Sequence, residues 1–468
     1  MVVALARPLV ARLMGKLDAH PDRLIAVISA VLLAAYVTAT LVFPKPDAEI
    51  VVGDAKHHYV QLRSLIFDHD LDFRNEYMTA AHITHPTEGA EWLFSDFTPT
   101  GHVRNYMPVG PALLWMPLYV LVIVAKLAIA WLGRGLPPTG YERSLQLVPG
   151  VTGVLVVGLA TALTWRMIGR FTDRSTAALS AIAIWLGSHA LYYALVSPAY
   201  SHSASMFTSA LFCWYWLDPA AVPSVRRAAW LGALVGLCAL MRWQDALFLL
   251  VPAWEALRCP RPVIQRIAML AAAGAAWLVA FSPQMAVWRV LYGQPFAMPQ
   301  GPSFMQWTAP HLFAVLFSID RGLFVWSPLL IVAAAGGLSF AVRHARWRVP
   351  LIGMVAVSWY VNAAVADWWA GEAFGARRFL SLTPLFALGL AIWLAGSRHR
   401  RSTGIAGAGP SFARVSVLLT LTLANALLLL QYQLALKGLE NVSPYPTGFV
   451  NMWLVRFVVP IRLLLGAS

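Results

Sequence analysis

The chain has 468 residues, 59% of them hydrophobic and only 12% charged, with a mean hydropathy of +0.64. A soluble protein so composed would lack the polar surface to cover itself. The formal net charge of +14 falls in short clusters between apolar runs, which is a topology signal and not a nucleic-acid footprint, so no nucleic-acid partner is expected.

Residues 1–23 form a basic amino-terminal stretch. The run at 24–43 is too long for a signal-peptide core and lacks a cleavage site, so it reads as a retained anchor. Further apolar runs follow at 109–132, 146–165, 176–197, 204–217, 227–241, 245–257, 267–287, 323–342, 350–366, 379–396 and 413–435. Many approach the roughly 20 residues that a spanning helix needs. The expected fold is an all-α polytopic membrane protein with about 11 transmembrane helices. Cys213, Cys238 and Cys259 show no pairing pattern, so no disulfide framework is expected.

The run at 109–132 decides the topology. With a cytoplasmic amino terminus, and with 109–132 lying along or re-entering the outer leaflet, the clusters Arg166/Arg170/Arg174, Arg226/Arg227, Arg258/Arg261/Arg266, Arg343/Arg346/Arg348 and Arg398/Arg400/Arg401 all fall inside. That arrangement obeys the positive-inside rule. The outer side then receives a long first loop, 44–145, shorter loops near 198–203, 242–245, 288–322 and 367–378, and the tail from about 436. Residues 24–396 make up the main transmembrane module. Residues 397–468 add one further transmembrane helix and an outer tail.

The outer segments hold most of the acids and the residues able to do chemistry. Asp54 stands just past the first helix, where a carboxylate at the membrane surface can take a proton from an acceptor hydroxyl. The plainer reading is a solvated loop acid. His57 and His58 can orient an acceptor. Asp68, Asp70 and Asp72 alternate as divalent-cation ligands can. An EF-hand is excluded, because its sixth and twelfth positions would be Phe73 and Thr79, and turn or capping roles are the simpler reading. Arg242, Arg321, Arg377 and Arg378 lie close to predicted helix ends on the outer side. A guanidinium there can bind phosphate through paired hydrogen bonds, or can pair with acids such as Asp245, Asp320, Asp367 or Glu372. The Arg242-Trp243-Gln244-Asp245 stretch reads as a tight turn between two short helices.

The stretch Gly53-Asp54 through Tyr59, with Arg63-Ser64-Leu65, Asp68-His69-Asp70-Leu71-Asp72-Phe73 and Asn75-Glu76, resembles the first loop of bacterial GT-C glycosyltransferases of the protein mannosyltransferase and aminoarabinose transferase type. Ser197-Pro198 to Ser201-His202, Met241-Arg242-Trp243-Gln244, Arg321-Gly322-Leu323 with Ser327-Pro328, and Trp368 through Phe374-Gly375-Ala376-Arg377-Arg378 resemble the same superfamily. The resemblance covers about 24–396. It implies a GT-C-like fold, Asp54 as catalytic base and a sugar on a polyprenyl phosphate as donor. It also implies a glycan, lipid or protein acceptor, membrane lipid around the chain, and an active site facing the periplasm or exterior of a bacterial inner membrane. A second acid, common in that superfamily, is missing from Ser197 to His202, where His202 stands as a substitute. No cofactor is implied, and the alternating acids Asp68, Asp70 and Asp72 leave a divalent cation open. The rival readings are a transporter or lipid flippase, which would place ionisable groups at the bilayer midplane, and a non-catalytic scaffold.

Overall fold

A computed structural model describes residues 14–42, 50–83, 96–371, 373–396 and 410–436. The cluster Arg398/Arg400/Arg401, Glu372, the first 13 residues and the tail beyond 436 lie outside the described residues. The described chain is helical, with two isolated β-bridges. Its helices are α1 (Pro21–Val42), α2 (Asp54–Arg63), α3 (Arg74–Ile83), α4 (Gly110–Trp131), α5 (Arg143–Ile168), α6 (Arg174–Leu186), α7 (Ala190–Leu195), α8 (Ser201–Trp216), α9 (Val225–Met241), α10 (Leu250–Arg258), α11 (Val263–Tyr292), α12 (Leu329–Arg343), α13 (Ala345–Ala364), α14 (Thr383–Ala395) and α15 (Phe412–Leu436).

Six helical stretches of the described residues are long and apolar enough to cross a membrane: Pro21–Val42, Gly110–Trp131, Arg143–Ile168, Val263–Tyr292, Arg377–Ala395 and Phe412–Leu434. That count falls below the eleven or so expected from apolar runs. Arg174–Leu186 and Leu329–Arg343 are apolar but shorter, and some runs are broken by polar turns. Gly187-Ser188-His189 divides the run at 176–197 into α6 and α7, and a 3₁₀ turn at Trp243–Leu249 delays α10. Large apolar side chains stand exposed on these helices, among them Val31, Leu121, Val279 and Leu338, as a lipid solvent requires.

The run at 109–132 forms one unbroken helix, with Pro117 inside it, so it does not fold back as a re-entrant hairpin. Both of its flanks meet the same end of the bundle. At its start, the Val109 amide donates to Gln284 Oε1 (2.8 Å) near the end of α11. Beyond it, Arg143 Nη2 donates to the Thr40 carbonyl (3.3 Å) and the Ile50 amide to Gln146 Oε1 (3.2 Å). The chain therefore enters α5 beside the carboxyl end of α1.

Small residues let the helices approach closely, the usual device where no hydrophobic force separates core from lipid. A methyl group at Gly336 of α12 would lie 1.9 Å from the Gly389 carbonyl oxygen of α14. One at Gly389 would lie 2.0 Å from that of Ala333. Gly389→Val is therefore expected to force α12 from α14 at a cost of about 1–3 kcal/mol, read as a lowered unfolding temperature in detergent. An unchanged temperature would disprove this packing account.

Two cores result. The larger gathers Trp185, Trp216, Trp326, Phe340 and Leu390 inside the bundle. The smaller gathers Tyr59, Phe73, Tyr77, Trp115, Tyr119 and Trp288. It folds the first loop onto the ends of α5, α9 and α11, and that loop carries α2.

Candidate active site

Asp54 opens α2, following Gly53 at φ +58. A methyl group at Gly53 would lie 2.2 Å from the Tyr200 hydroxyl, and that hydroxyl reaches the Asp54 backbone amide. Glycine is needed here both for the backbone angle and for the close contact. The amino end of a short helix also favours a carboxylate.

Arg377 Nη1 donates to Asp54 Oδ2 at 2.6 Å, across 323 residues of sequence. The Arg377 side chain is 13% exposed and that of Asp54 27%. The Tyr200 ring lies beneath the Arg377 guanidinium, 5.8 Å from ring centre to Cζ. Gly371 and Gly375, both at positive φ, shape the turn that delivers Arg377.

Arg378 is held differently. Its Nη1 donates to the Asp367 carbonyl (2.6 Å) and its Nη2 to Asp367 Oδ1 (2.7 Å). Its own carbonyl accepts from Gln244 Nε2 (3.0 Å) and Asn362 Nδ2 (3.3 Å). Gln244 Oε1 in turn accepts from Arg242 Nη2 (3.2 Å). Arg242 Nη1 lies 3.0 Å from His202 Nδ1 and 3.4 Å from Ser201 Oγ. Arg242 Nε is buried with no hydrogen-bond partner. A continuous polar network thus joins the ends of α9 and α13, the start of α8 and the Arg377-Arg378 turn, with Asp54 at its edge.

The remaining sequence candidates bond other partners. Arg321, at φ +65 and 7% exposed, donates from Nε to the Ala373 carbonyl (2.7 Å), so it braces the loop leading to Arg377. His57 Nδ1 bonds the Tyr77 hydroxyl (2.7 Å), and His58 Nδ1 bonds the Pro108 carbonyl (2.8 Å). Both imidazoles fasten α2 to its own loop. Asp68 pairs with Arg63 and accepts from Asn75 Nδ2 (2.7 Å). Asp70 Oδ1 accepts from Ser64 Oγ (2.7 Å) and the Asp72 amide (3.2 Å), and Asp72 Oδ1 accepts from the Arg74 amide (3.2 Å) at the start of α3. These are turn and capping roles. No group of three His, Cys, Asp or Glu side chains suited to a metal occurs among the described residues. Sequence reasoning passed over Tyr200, Gln244 and Asn362 as site groups, and named Asp367 as an acid that one of the arginines could pair with, as Arg378 does. Tyr200 and Gln244 lay inside quoted motifs, but nothing in the sequence marked their partners.

His58 gives a pH prediction. Burial pushes its imidazole down from the usual 6.5 to about 4, opposed in part by the Pro108 carbonyl. The fold holds the neutral form, so this contribution to stability is full above pH 6.5 and is lost as pH falls towards 4. The difference is worth roughly 3 kcal/mol. Unfolding temperature followed between pH 7 and 4 should fall steeply in the native protein and less steeply in His58→Gln. Equal slopes would refute the assignment.

No family model and no curated protein matches the chain. Among solved structures, the chain is similar to the archaeal oligosaccharyltransferase AglB from Archaeoglobus fulgidus, in complex with an inhibitory peptide and a dolichol-phosphate. The identity is 12% and the TM-score 0.43, over 92% of this chain and 61% of that one. The chain thus spans about three fifths of that protein's length.

Proposed function

We propose that this protein is a GT-C-type glycosyltransferase that moves a sugar from a polyprenyl-phosphate donor to an acceptor on the non-cytoplasmic face of the membrane. The observation that carries the reading is the convergence of Asp54, from the first loop, with Arg377, Arg378 and Arg242, from two distant segments. A carboxylate beside several guanidinium groups suits a reaction that removes a proton from a hydroxyl and releases a phosphate.

Asp54 takes the proton as the acceptor oxygen attacks the anomeric carbon. The bond from that carbon to the phosphate oxygen breaks, and the electron pair leaves with the polyprenyl phosphate. Fixed guanidinium charge stabilises the leaving group as its charge develops. The positive-inside pattern of the sequence supports this face, because it puts the amino end of α1 on the cytoplasmic side. The Arg166–Asp22 pair (2.8 Å) marks its amino end, whereas Asp54 lies past its carboxyl end. The 22 residues between those ends span about 33 Å at 1.5 Å per residue.

The test is release of polyprenyl phosphate by the purified full chain in nanodiscs. Polyprenyl-phosphate sugars are supplied as donors, together with membrane extract as the source of acceptor. Release that needs both the protein and Asp54 supports the reading. Absence of release across the common hexose, pentose and aminosugar donors would refute it.

A further inference from the structure

The two adjacent arginines of the site are unequally committed. Arg378 is locked by two bonds to Asp367, and its carbonyl is clamped by Gln244 and Asn362. The Arg377 guanidinium makes a single hydrogen bond among the described residues, to Asp54 Oδ2. Its position over the Tyr200 ring leaves it free to pivot, since a ring face holds a cation without fixed direction. Arg242 has no carboxylate within bonding distance among the described residues and keeps a buried Nε without a partner. It is a resident positive charge whether or not a ligand is bound.

We propose that Arg377 is shared between Asp54 and the donor phosphate. Without donor, Arg377 occupies Asp54 Oδ2. Phosphate anchored at Arg242 draws Arg377 away and frees that oxygen to accept the proton of the acceptor hydroxyl. Binding is thereby ordered, donor first, and a hydroxyl that arrives alone meets a carboxylate already engaged. The inference rests on the glycosyltransferase reading above, and it adds a coupling between base and donor that the reading itself does not require.

Competition for one guanidinium has a thermodynamic signature. If Asp54 and the phosphate compete for Arg377, removing the Asp54 charge must tighten phosphate binding, and must do so through Arg377. Coupling of this kind is typically worth about five- to 150-fold in affinity. Simple repulsion between Asp54 and the phosphate also predicts tightening, but that effect persists when Arg377 is gone. A double-mutant cycle separates the two.

The experiment measures the Kd of a short-chain polyprenyl phosphate for the detergent-purified full chain by tryptophan fluorescence. The forms compared are the native protein, Asp54→Asn, Arg377→Gln and the double variant, each first shown to unfold cooperatively. The expected result is about tenfold tighter binding in Asp54→Asn, and a change of less than about twofold when the same substitution is made in Arg377→Gln. Asp54→Ser replaces Asp54→Asn if the latter does not fold. Equal tightening in both backgrounds, or none in either, overturns the shared-arginine inference and leaves the glycosyltransferase reading standing. Failure of all the folded forms to bind the phosphate overturns both.

Discussion

Asp54→Asn is expected to lower sugar transfer by about 10²–10⁴-fold, the usual contribution of a positioned general base, with little loss of stability. The geometry makes the substitution informative. Asparagine is nearly isosteric, keeps an oxygen for Arg377 Nη1 to donate to, and can still start α2 after Gly53. What it loses is the ability to take a proton. The loss should fall on kcat, because the groups assigned to the donor phosphate remain in place. A matched Asp72→Asn variant controls for general effects of charge in the first loop. Among the described residues its carboxylate serves only the Arg74 amide at the start of α3, so transfer should stay within about twofold, as expected for a solvated cap. Turnover of Asp54→Asn within tenfold of native would remove Asp54 from the role of base.

How much of this was legible in sequence depended on whether the deciding force acts locally. Helix positions follow from apolar runs, and 109–132, 227–241 and 413–435 were recovered as Gly110–Trp131, Val225–Met241 and Phe412–Leu436. Asp54 was singled out by its place after a long apolar run, and the arginines by lying close to predicted helix ends on the outer side. The turn chemistry of Asp68, Asp70 and Asp72 was likewise local. Partnerships were legible only as a class: Asp367 was named as an acid to pair with an arginine, but not with which one. That Arg377 takes Asp54 while its neighbour takes Asp367 depends on the backbone angles of Ala370, Gly371 and Gly375, which no side-chain pattern announces. His57 and His58 were placed near Asp54 by proximity, but their Nδ1 partners, Tyr77 and Pro108, are not readable from the sequence. Polar interruptions inside a hydrophobic run, such as Ser188-His189, weigh little in a sliding average yet end a helix, so one apolar run need not be one continuous helix.

Arg242→Lys should lower kcat/KM by about 10²-fold although it preserves charge, a loss in the range seen when one donor to developing negative charge is removed. The argument turns on shape. Arg242 serves His202 and Ser201 with one nitrogen and Gln244 with another, and a planar fork can hold these while presenting its charge to a phosphate. An ammonium cannot do both, because its three donors radiate from one point. If it turns to the phosphate, Gln244 loses the donor to its Oε1, and Gln244 is one of the two side chains that clamp the Arg378 carbonyl. The substitution therefore loosens the Arg377-Arg378 turn as well as weakening the anion site. Arg346→Lys is the matched control, since among the described residues that guanidinium hydrogen-bonds only the Pro219 and Ala221 carbonyls, at the opposite end of the bundle. If Arg242→Lys retains native kcat/KM, charge alone suffices at this position, and the paired geometry built by His202 and Gln244 serves the fold and not the leaving phosphate.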